Sequence, residues 1–395
     1  MTERELFYRY LGLPSFSPIG LDITHAEGIW LSSRDGKRYM DLVSGITVSN
    51  IGHRHPNVLE AIRNQLDKYL HLNVYGEFIQ SPQVMLAQRL TELLPPSLDS
   101  VYFVNSGSEA VEGAVKLAKR FTGRREVIAF TNAYHGSTQG ALSLLGNEGL
   151  KNAFRPLIPE VSFLKFNDFM DLNQITERTA CVVAETIQAE AGLILPEDGF
   201  LDQLRKRCSQ TGALLVIDDV QMGFGRTGKL FSFEHYGIIP DILVLAKALG
   251  AGMPLGAFIA PKQMMATLAY NPELGHITTF GGHPVSCAAS LAGIGVLIEE
   301  GLADKAIENG ELFERALAGN RAVKEVRRVG LALGVDLAYP EKRNAFMKAS
   351  LEHGFIIDWY LFKPATFRIA PPLTISNSEI NEACEMLGKA LNVIM

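Results

Sequence analysis

The sequence predicts an α/β fold: a large domain with a central, mostly parallel sheet, plus a smaller α+β domain built from both chain ends. Three observations predict it. Between about Gly52 and Ser290, short apolar runs alternate with helical stretches. Those runs are apolar throughout, which marks strands covered on both faces. The two ends of the chain use shorter, alternating elements instead, and no Pro/Gly/Ser-rich linker sets either end apart.

Taken in order, GIWLSSRDGKRYMDL (28–42) alternates, turns at Asp35-Gly36 and alternates again, as a hairpin does. Strand-like runs follow: VYFV (101–104), EVIAF (126–130), ACVVAE (180–185), ALLVIDD (213–219), ILVLA (242–246) and GAFIA (256–260). SEAVEGAVKLAKRF and LDQLRKRCSQTG read as helices between them. Near the end, GLADKAIENGELFERALAG reads as a helix and VRRVGLALGVDLA as strands. SNSEINEACEMLGKALNVI reads as a final helix capped by Ser376 or Ser378. The expected division is 1–52 and 291–395 for the small domain, with 53–290 for the large one.

Composition narrows the function. The chain has 395 residues, 47% hydrophobic and 20% charged, as an ordinary globular enzyme has. A net charge of −6 argues against a nucleic-acid partner. The charged opening MTERELFYRYLGLP is unlike a secretory signal, and no apolar run approaches the ~20 residues that span a bilayer. The four cysteines, Cys181, Cys208, Cys287 and Cys384, lack metal-ligand spacing and read as reduced thiols of a cytoplasmic protein. His53 and His55 in GHRHP are read as flanking a turn, so no metal site is expected.

In an open parallel sheet, ligands bind beyond the carboxyl ends of the strands. After VYFV comes Asn105-Ser106-Gly107-Ser108-Glu109 and a helix, a pattern suited to an anion or to a plain cap by Ser108. After ALLVI come Asp218 and Asp219, carboxylates that need a partner if buried. After ILVLA comes Lys247, followed by Ala248, Gly250, Ala251 and Gly252. A lysine among small apolar residues either snorkels to solvent or loses its proton and becomes a nucleophile. Together the three sites match the phosphate, ring nitrogen and aldehyde of pyridoxal phosphate, with Lys247 forming the Schiff base.

From about Gly28 to the C-terminus the chain resembles the class III aminotransferases of ornithine and acetylornithine type, within the fold-type I pyridoxal-phosphate enzymes. The motifs run in that family's order: SGITVSNIGHRHP, NSGSEAVEGAVKLAKR, AYHGST, ETIQAEAG, DDVQMGFGRTG, AKALGAGMPLGA, TTFGGHP and FRIAPPL. The resemblance implies cofactor contacts at Ser106, Gly107, Ser108, Tyr134, His135, Glu185, Asp218, Gln221, Lys247 and Thr279. Lys247 and Asp218 are the implied catalytic pair. Gly107 and Ser108 would hold the phosphate, Tyr134 would stack on the ring and Asp218 would face the ring nitrogen. Thr279 would reach the neighbouring subunit's phosphate, making the protein a homodimer with shared sites. Implied substrate contacts are Arg368, Glu190, Ser137, Tyr75 and Thr278, with Glu190 covering Arg368 until a keto acid needs it. Trp359 is a further candidate for the pocket wall.

The implied reaction is ping-pong transfer of the ω-amino group of N-acetylornithine or ornithine to 2-oxoglutarate. The alternatives are another amine, a β- or γ-amino acid, or an aminomutase reaction. Three positions depart from the family. Ser137 stands where relatives have Arg, Asp219 where Glu is usual, and Thr186 where Pro is usual. Ile46 takes the place of a tyrosine found in ornithine-specific relatives. A serine cannot supply the bidentate contact that arginine makes to a carboxylate.

Overall fold

A computed structural model describes residues 1–74 and 76–395. The N-terminal hairpin falls where the Asp35-Gly36 turn places it, after one earlier strand: β1 (Ile23–Glu27), β2 (Trp30–Ser33) and β3 (Arg38–Asp41). Gly36 has φ 85°, open to glycine and costly for other residues.

The central sheet has seven strands: β4 (Ser100–Val104), β5 (Glu126–Phe130), β6 (Val161–Leu164), β7 (Thr179–Ala184), β8 (Leu214–Asp218), β9 (Ile242–Leu245) and β10 (Gly256–Ala260). Their order is β4-β10-β9-β8-β7-β5-β6. Every residue of β7, β8, β9 and β10 is buried, which their unbroken apolar runs required. The edge strand β6 carries no clear sequence signal, because its VSFL run is half exposed.

GAFIA runs antiparallel to both of its neighbours, the one exception to the parallel arrangement. The chain length explains it. A parallel return needs a crossover of a dozen or more residues. The segment 246–255 is shorter than that and carries no α-helix, only the tight turn Lys247–Gly250. The reversal also brings Gly256 against the carboxyl end of β4, where a Cβ would lie 2.3 Å from Ser106 O. The ends of β4, β5, β7, β8 and β9 thus share one edge of the sheet.

Helix Gly107–Thr122 buries Ala110, Val111, Ala114, Val115, Leu117 and Ala118 against that sheet. Its close approach depends on Gly113, whose added Cβ would sit 2.3 Å from the Phe258 ring. The C-terminal part supplies β11 (Val323–Val329), β12 (Ala332–Leu337), β13 (Phe355–Ile356), β14 (Asp358–Tyr360) and β15 (Lys363–Ile369). Strands β11-β12-β15-β14 form an antiparallel sheet, while β13 pairs parallel with β3 and joins the chain ends. Position 290, the expected second boundary, falls inside helix Pro284–Glu299. Ser376, not Ser378, caps the final helix Asn377–Asn392, in a capping box with Glu379. Among the described residues, no single helix is long and apolar enough to cross a membrane.

Two features hold the parts together. Arg226, of the GRTG sequence, is fully buried. Its guanidinium donates to Leu331 O (2.9 Å), Pro371 O (2.8 Å), Asn50 Oδ1 (2.7 Å) and Ser44 Oγ (3.3 Å). One cation therefore ties three distant stretches of chain. Residues 44–47 form a left-handed turn, with φ of 48°, 61°, 61° and 59°. For Ile46 and Thr47 this costs roughly 1–2 kcal/mol each. Asp41 Oδ1 holds the turn by accepting from the N–H groups of Val43 (2.9 Å) and Ser44 (2.8 Å). Its other oxygen binds His53 Nε2 at 2.8 Å, which is how that histidine is used.

Replacing Arg226 with Met leaves at least three buried oxygens unsatisfied, each costing about 1–3 kcal/mol. The expected outcome is a fall of several degrees or more in the thermal unfolding midpoint, with Arg226→Lys recovering only part of it. A midpoint within 2 degrees (about the scatter expected for a surface change) would show that the staple is dispensable.

Candidate active site

At the shared edge of the central sheet lies a cavity of about 350 Å³. Its walls include Ser106, Gly107, Ser108, Tyr134, His135, Glu185, Asp218, Gln221 and Lys247, nine of the ten residues expected to touch the cofactor. They come from the ends of four strands and from the 134–136 loop. The tenth, Thr279, is exposed and lies outside the cavity.

The anion cradle is built from the helix start. Ser106, not Ser108, is the cap of helix Gly107–Thr122, and its Oγ accepts from Glu109 N at 3.2 Å. The first helical bond runs from Ala110 N to Ser106 O (3.0 Å), so the amides of Gly107 and Ser108 precede the ladder. The Ser108 hydroxyl is free of capping and accepts from Ser137 N at 3.2 Å. Gly136 closes the cradle, since a Cβ there would meet Ser108 Oγ at 2.0 Å.

Asp218 ends β8. Its Oδ2 meets His135 Nδ1 at 2.7 Å, and its Oδ1 accepts from Val220 N at 3.1 Å. His135 is buried and its Nε2 has no partner among the described residues. Glu185 also has an unpartnered, buried oxygen, Oε2. Burial, and then the charge of Asp218, push the Glu185 carboxyl well above its ordinary range, which favours a protonated acid able to donate.

Lys247 follows β9 with φ 50°, a strained value for a side-chain-bearing residue. Its Nζ donates to Gln221 Oε1 at 2.9 Å. Burial pulls its pKa down to about 8; Glu190, Asp218 and Glu185 oppose the fall, and Arg368 adds to it. The amine is therefore far closer to neutral near physiological pH than an ordinary lysine.

Arg368 on β15 and Glu190 are not among the cavity-wall residues; Arg368 donates from Nη2 to Glu190 Oε1 at 2.8 Å. Both side chains are buried. Burial works against the Glu190 charge, but Arg368 and the Leu361 N–H outweigh it and leave the carboxyl below its ordinary range. Arg368 Nε and Nη1 are buried with no partner among the described residues.

The other expected substrate residues are dispersed. Ser137 is exposed, and its hydroxyl lies 3.0 Å from Tyr134 OH, outside the cavity wall. Thr278 accepts from Asn105 Nδ2 at 2.9 Å and lines a separate cleft beside Phe103. Trp359 stacks on Arg343, and Ile46 is 40% exposed; neither lines the main cavity. Tyr75 lies outside the described residues. Sequence reasoning missed Asn105, Val48 and the 252–255 stretch as wall residues. All lie inside the quoted motifs, but only the left-handed turn aims Val48 inward.

Two departures from the family pattern touch through a third residue. Thr186 Oγ1 lies 2.5 Å from Ser232 Oγ, and the Ser232 hydroxyl and amide both donate to Asp219. Burial pushes Asp219 up to about 7. The network sits directly behind Glu185 and Asp218 in sequence.

The site fits pyridoxal phosphate on its own geometry: a helix-start cradle, unpartnered His135 and Glu185 atoms on the wall, and one lysine of lowered pKa. The family model of class III aminotransferases matches residues 14–391. The acetylornithine aminotransferase of Methanopyrus kandleri is 38% identical over 393 residues, covering 99% of each chain. A [LysW]-aminoadipate semialdehyde/glutamate semialdehyde transaminase of Sulfolobus acidocaldarius is 36% identical, covering 94% of this chain and 95% of the relative. The crystal structure of a transaminase from the marine bacterium Virgibacillus superposes with TM-score 0.92 at 26% identity, covering 99% of this chain and 98% of its own. Sequence, fold and site agree: the chain belongs to the class III aminotransferases and is a pyridoxal-phosphate-dependent enzyme.

Proposed function

We propose that this enzyme moves the ω-amino group of an ornithine-like donor, N-acetylornithine or ornithine, to 2-oxoglutarate. The observation that carries the acceptor half is Arg368. A buried guanidinium with two unpartnered nitrogens is costly. With Glu190 displaced, a 2-oxo acid's carboxylate would take one of them together with Nη2, in the forked geometry that arginine favours. Glu190 covers the same cation when no such carboxylate is present. That arrangement supports one site serving two unlike substrates in turn. The names of the archaeal relatives support the donor.

Pyridoxal phosphate, when bound, supplies an aldehyde for the donor amine and a ring that withdraws electrons. The chain's residues do the rest. The amides of Gly107 and Ser108 hold the phosphate. Asp218, oriented by His135, keeps a proton on the ring nitrogen. Lys247 Nζ takes the proton from the donor carbon as base and returns it as acid. Gln221 holds the lysine amine between these tasks.

The site is proposed to be shared in a homodimer. Thr279 is exposed, next to the exposed Ile277 and Phe280. Such a face suits burial against a second copy, where Thr279 would reach the other cavity.

A second reading has its own observation. Lys247 is the only lysine or arginine among the described cavity-wall residues, and Ser137 offers no cation for a distal carboxylate. This favours an amine without that carboxylate. Mixing single donors with the loaded enzyme, without keto acid, separates the two. Fastest loss of the cofactor's absorbance band with N-acetylornithine supports the first reading; loss only with simple amines supports the second. Turnover with no keto acid at all would point to an aminomutase instead.

Lys247→Ala is expected to lower turnover by roughly 10²–10⁴-fold or more, the usual worth of a positioned acid-base. Arg368→Gln is expected to raise the KM for 2-oxoglutarate roughly 10- to 100-fold, the worth of one or two charge-assisted hydrogen bonds. An unchanged KM would remove Arg368 from the acceptor site. Only the neutral amine attacks an aldehyde, so cofactor-free enzyme should capture pyridoxal phosphate faster as pH rises, levelling off above about 8. A rise that continues toward 10.5, the ordinary lysine value, would contradict the lowered pKa.

A further inference from the structure

The loop that carries Glu190 is fastened to the small sheet by groups outside the site. Strand register aligns Arg327 with Gly334, Gly334 with Arg368, and Arg368 with Asp358 across β11, β12, β15 and β14. Gly334 leaves a gap in that row, and the Glu190 loop drops into it. A Cβ at Gly334 would lie 2.9 Å from Gly192 O and 3.1 Å from Leu193 Cβ.

Beside the gap stands an ion cluster. Asp336 Oδ1 and Oδ2 accept from Arg327 Nη2 (2.5 Å) and Nη1 (3.1 Å). Lys363 Nζ (2.8 Å) and Thr366 Oγ1 (2.5 Å) bind the same carboxylate. Arg327 is also paired with Glu325 Oε2 at 2.8 Å. So fixed, Arg327 donates from Nε to Gly192 O at 2.8 Å. The Lys363 stem packs on Gly192, where a Cβ would fall 2.6 Å from its Cδ. Glu190 O accepts from Phe362 N at 3.0 Å, and Glu190 Oε2 from Leu361 N at 3.0 Å. The backbone from 190 to 192 is held at both ends, so uncovering Arg368 falls to the Glu190 side chain, which must give up its bond from Arg368 Nη2.

We propose that Arg327 and Asp336 are positioning residues that fasten the Glu190 loop, so that Glu190 re-covers Arg368 each time an acceptor carboxylate leaves. The inference rests on Arg368 being the acceptor's carboxylate site. Without the clamp, Arg368 stands open for longer. Substrates that bring an α-carboxylate to it then gain over donors that react at the ω-end while Arg368 is covered.

The test compares half-reactions of the loaded enzyme with L-glutamate and with N-acetylornithine, in wild type, Arg327→Met and Arg327→Lys. Arg327→Met is expected to raise the kcat/KM ratio of glutamate over N-acetylornithine at least fivefold, with Arg327→Lys returning part of the way. Amide exchange at Leu361 and Phe362 is expected to quicken tenfold or more, with or without cofactor. If Arg327→Met does not fold, Asp336→Asn should move ratio and exchange in the same direction. Equal losses in both half-reactions, or unchanged exchange, overturn the clamp alone. If Arg368→Gln leaves the response to 2-oxoglutarate untouched, the acceptor reading fails and the clamp with it.

Discussion

The buried guanidinium of Arg226 is the constraint on which the rest depends. An unpaired cation in a protein interior is expensive unless hydrogen bonds replace its water. Among the described residues it has no carboxylate partner, so backbone carbonyls and side-chain oxygens of three chain segments must converge on it. Burial lowers its pKa to about 9, yet it remains a cation at neutral pH. Because Ser44 and Asn50 are among its ligands, the same charge helps hold the left-handed turn at 44–47. That turn in turn sets Val48 in the cavity wall. The contacts that join the two chain ends thus also bear on the shape of the site.

The catalytic edge follows from the sheet. Short connections force β10 to reverse, and the reversal presses Gly256 onto the backbone beside Ser106. The cradle and the lysine turn are thereby locked side by side. Lys247 accepts a left-handed backbone, which a local sequence would avoid, because the small residues after it give the turn room. The strain sits where the chemistry is, as strained backbones often do.

Charge balance couples the two halves of the site. Arg368 lowers the pKa of Lys247, while Glu190 raises it and pairs with Arg368. Whatever carboxylate faces Arg368, from Glu190 or from a substrate, therefore bears on the proton affinity of the catalytic amine. Asp218 plays a similar double part, holding His135 and driving Glu185 toward its neutral form.

The sequence by itself determined the elements whose cause is local. Unbroken apolar runs fixed β7, β8, β9 and β10 as buried strands, and Asp35-Gly36 fixed the hairpin. Residues at strand ends were legible as a site because a parallel sheet puts those ends together. The motif resemblance assigned Glu190 to Arg368, 178 residues away, and the two are joined by one hydrogen bond. What lacked a local cause was decided by the tertiary structure. Strand β6 needed a neighbour to be a strand at all. The cap fell on Ser106 rather than Ser108 because the helix begins at Gly107, with two residues between it and the end of β4 at Val104. Ser137 and Thr278 sit in motifs yet fall outside the cavity wall, since which residues line a cavity depends on what packs around a loop. The Arg327 clamp was invisible in sequence, because cross-strand register alone lines up Arg327, Gly334 and Arg368.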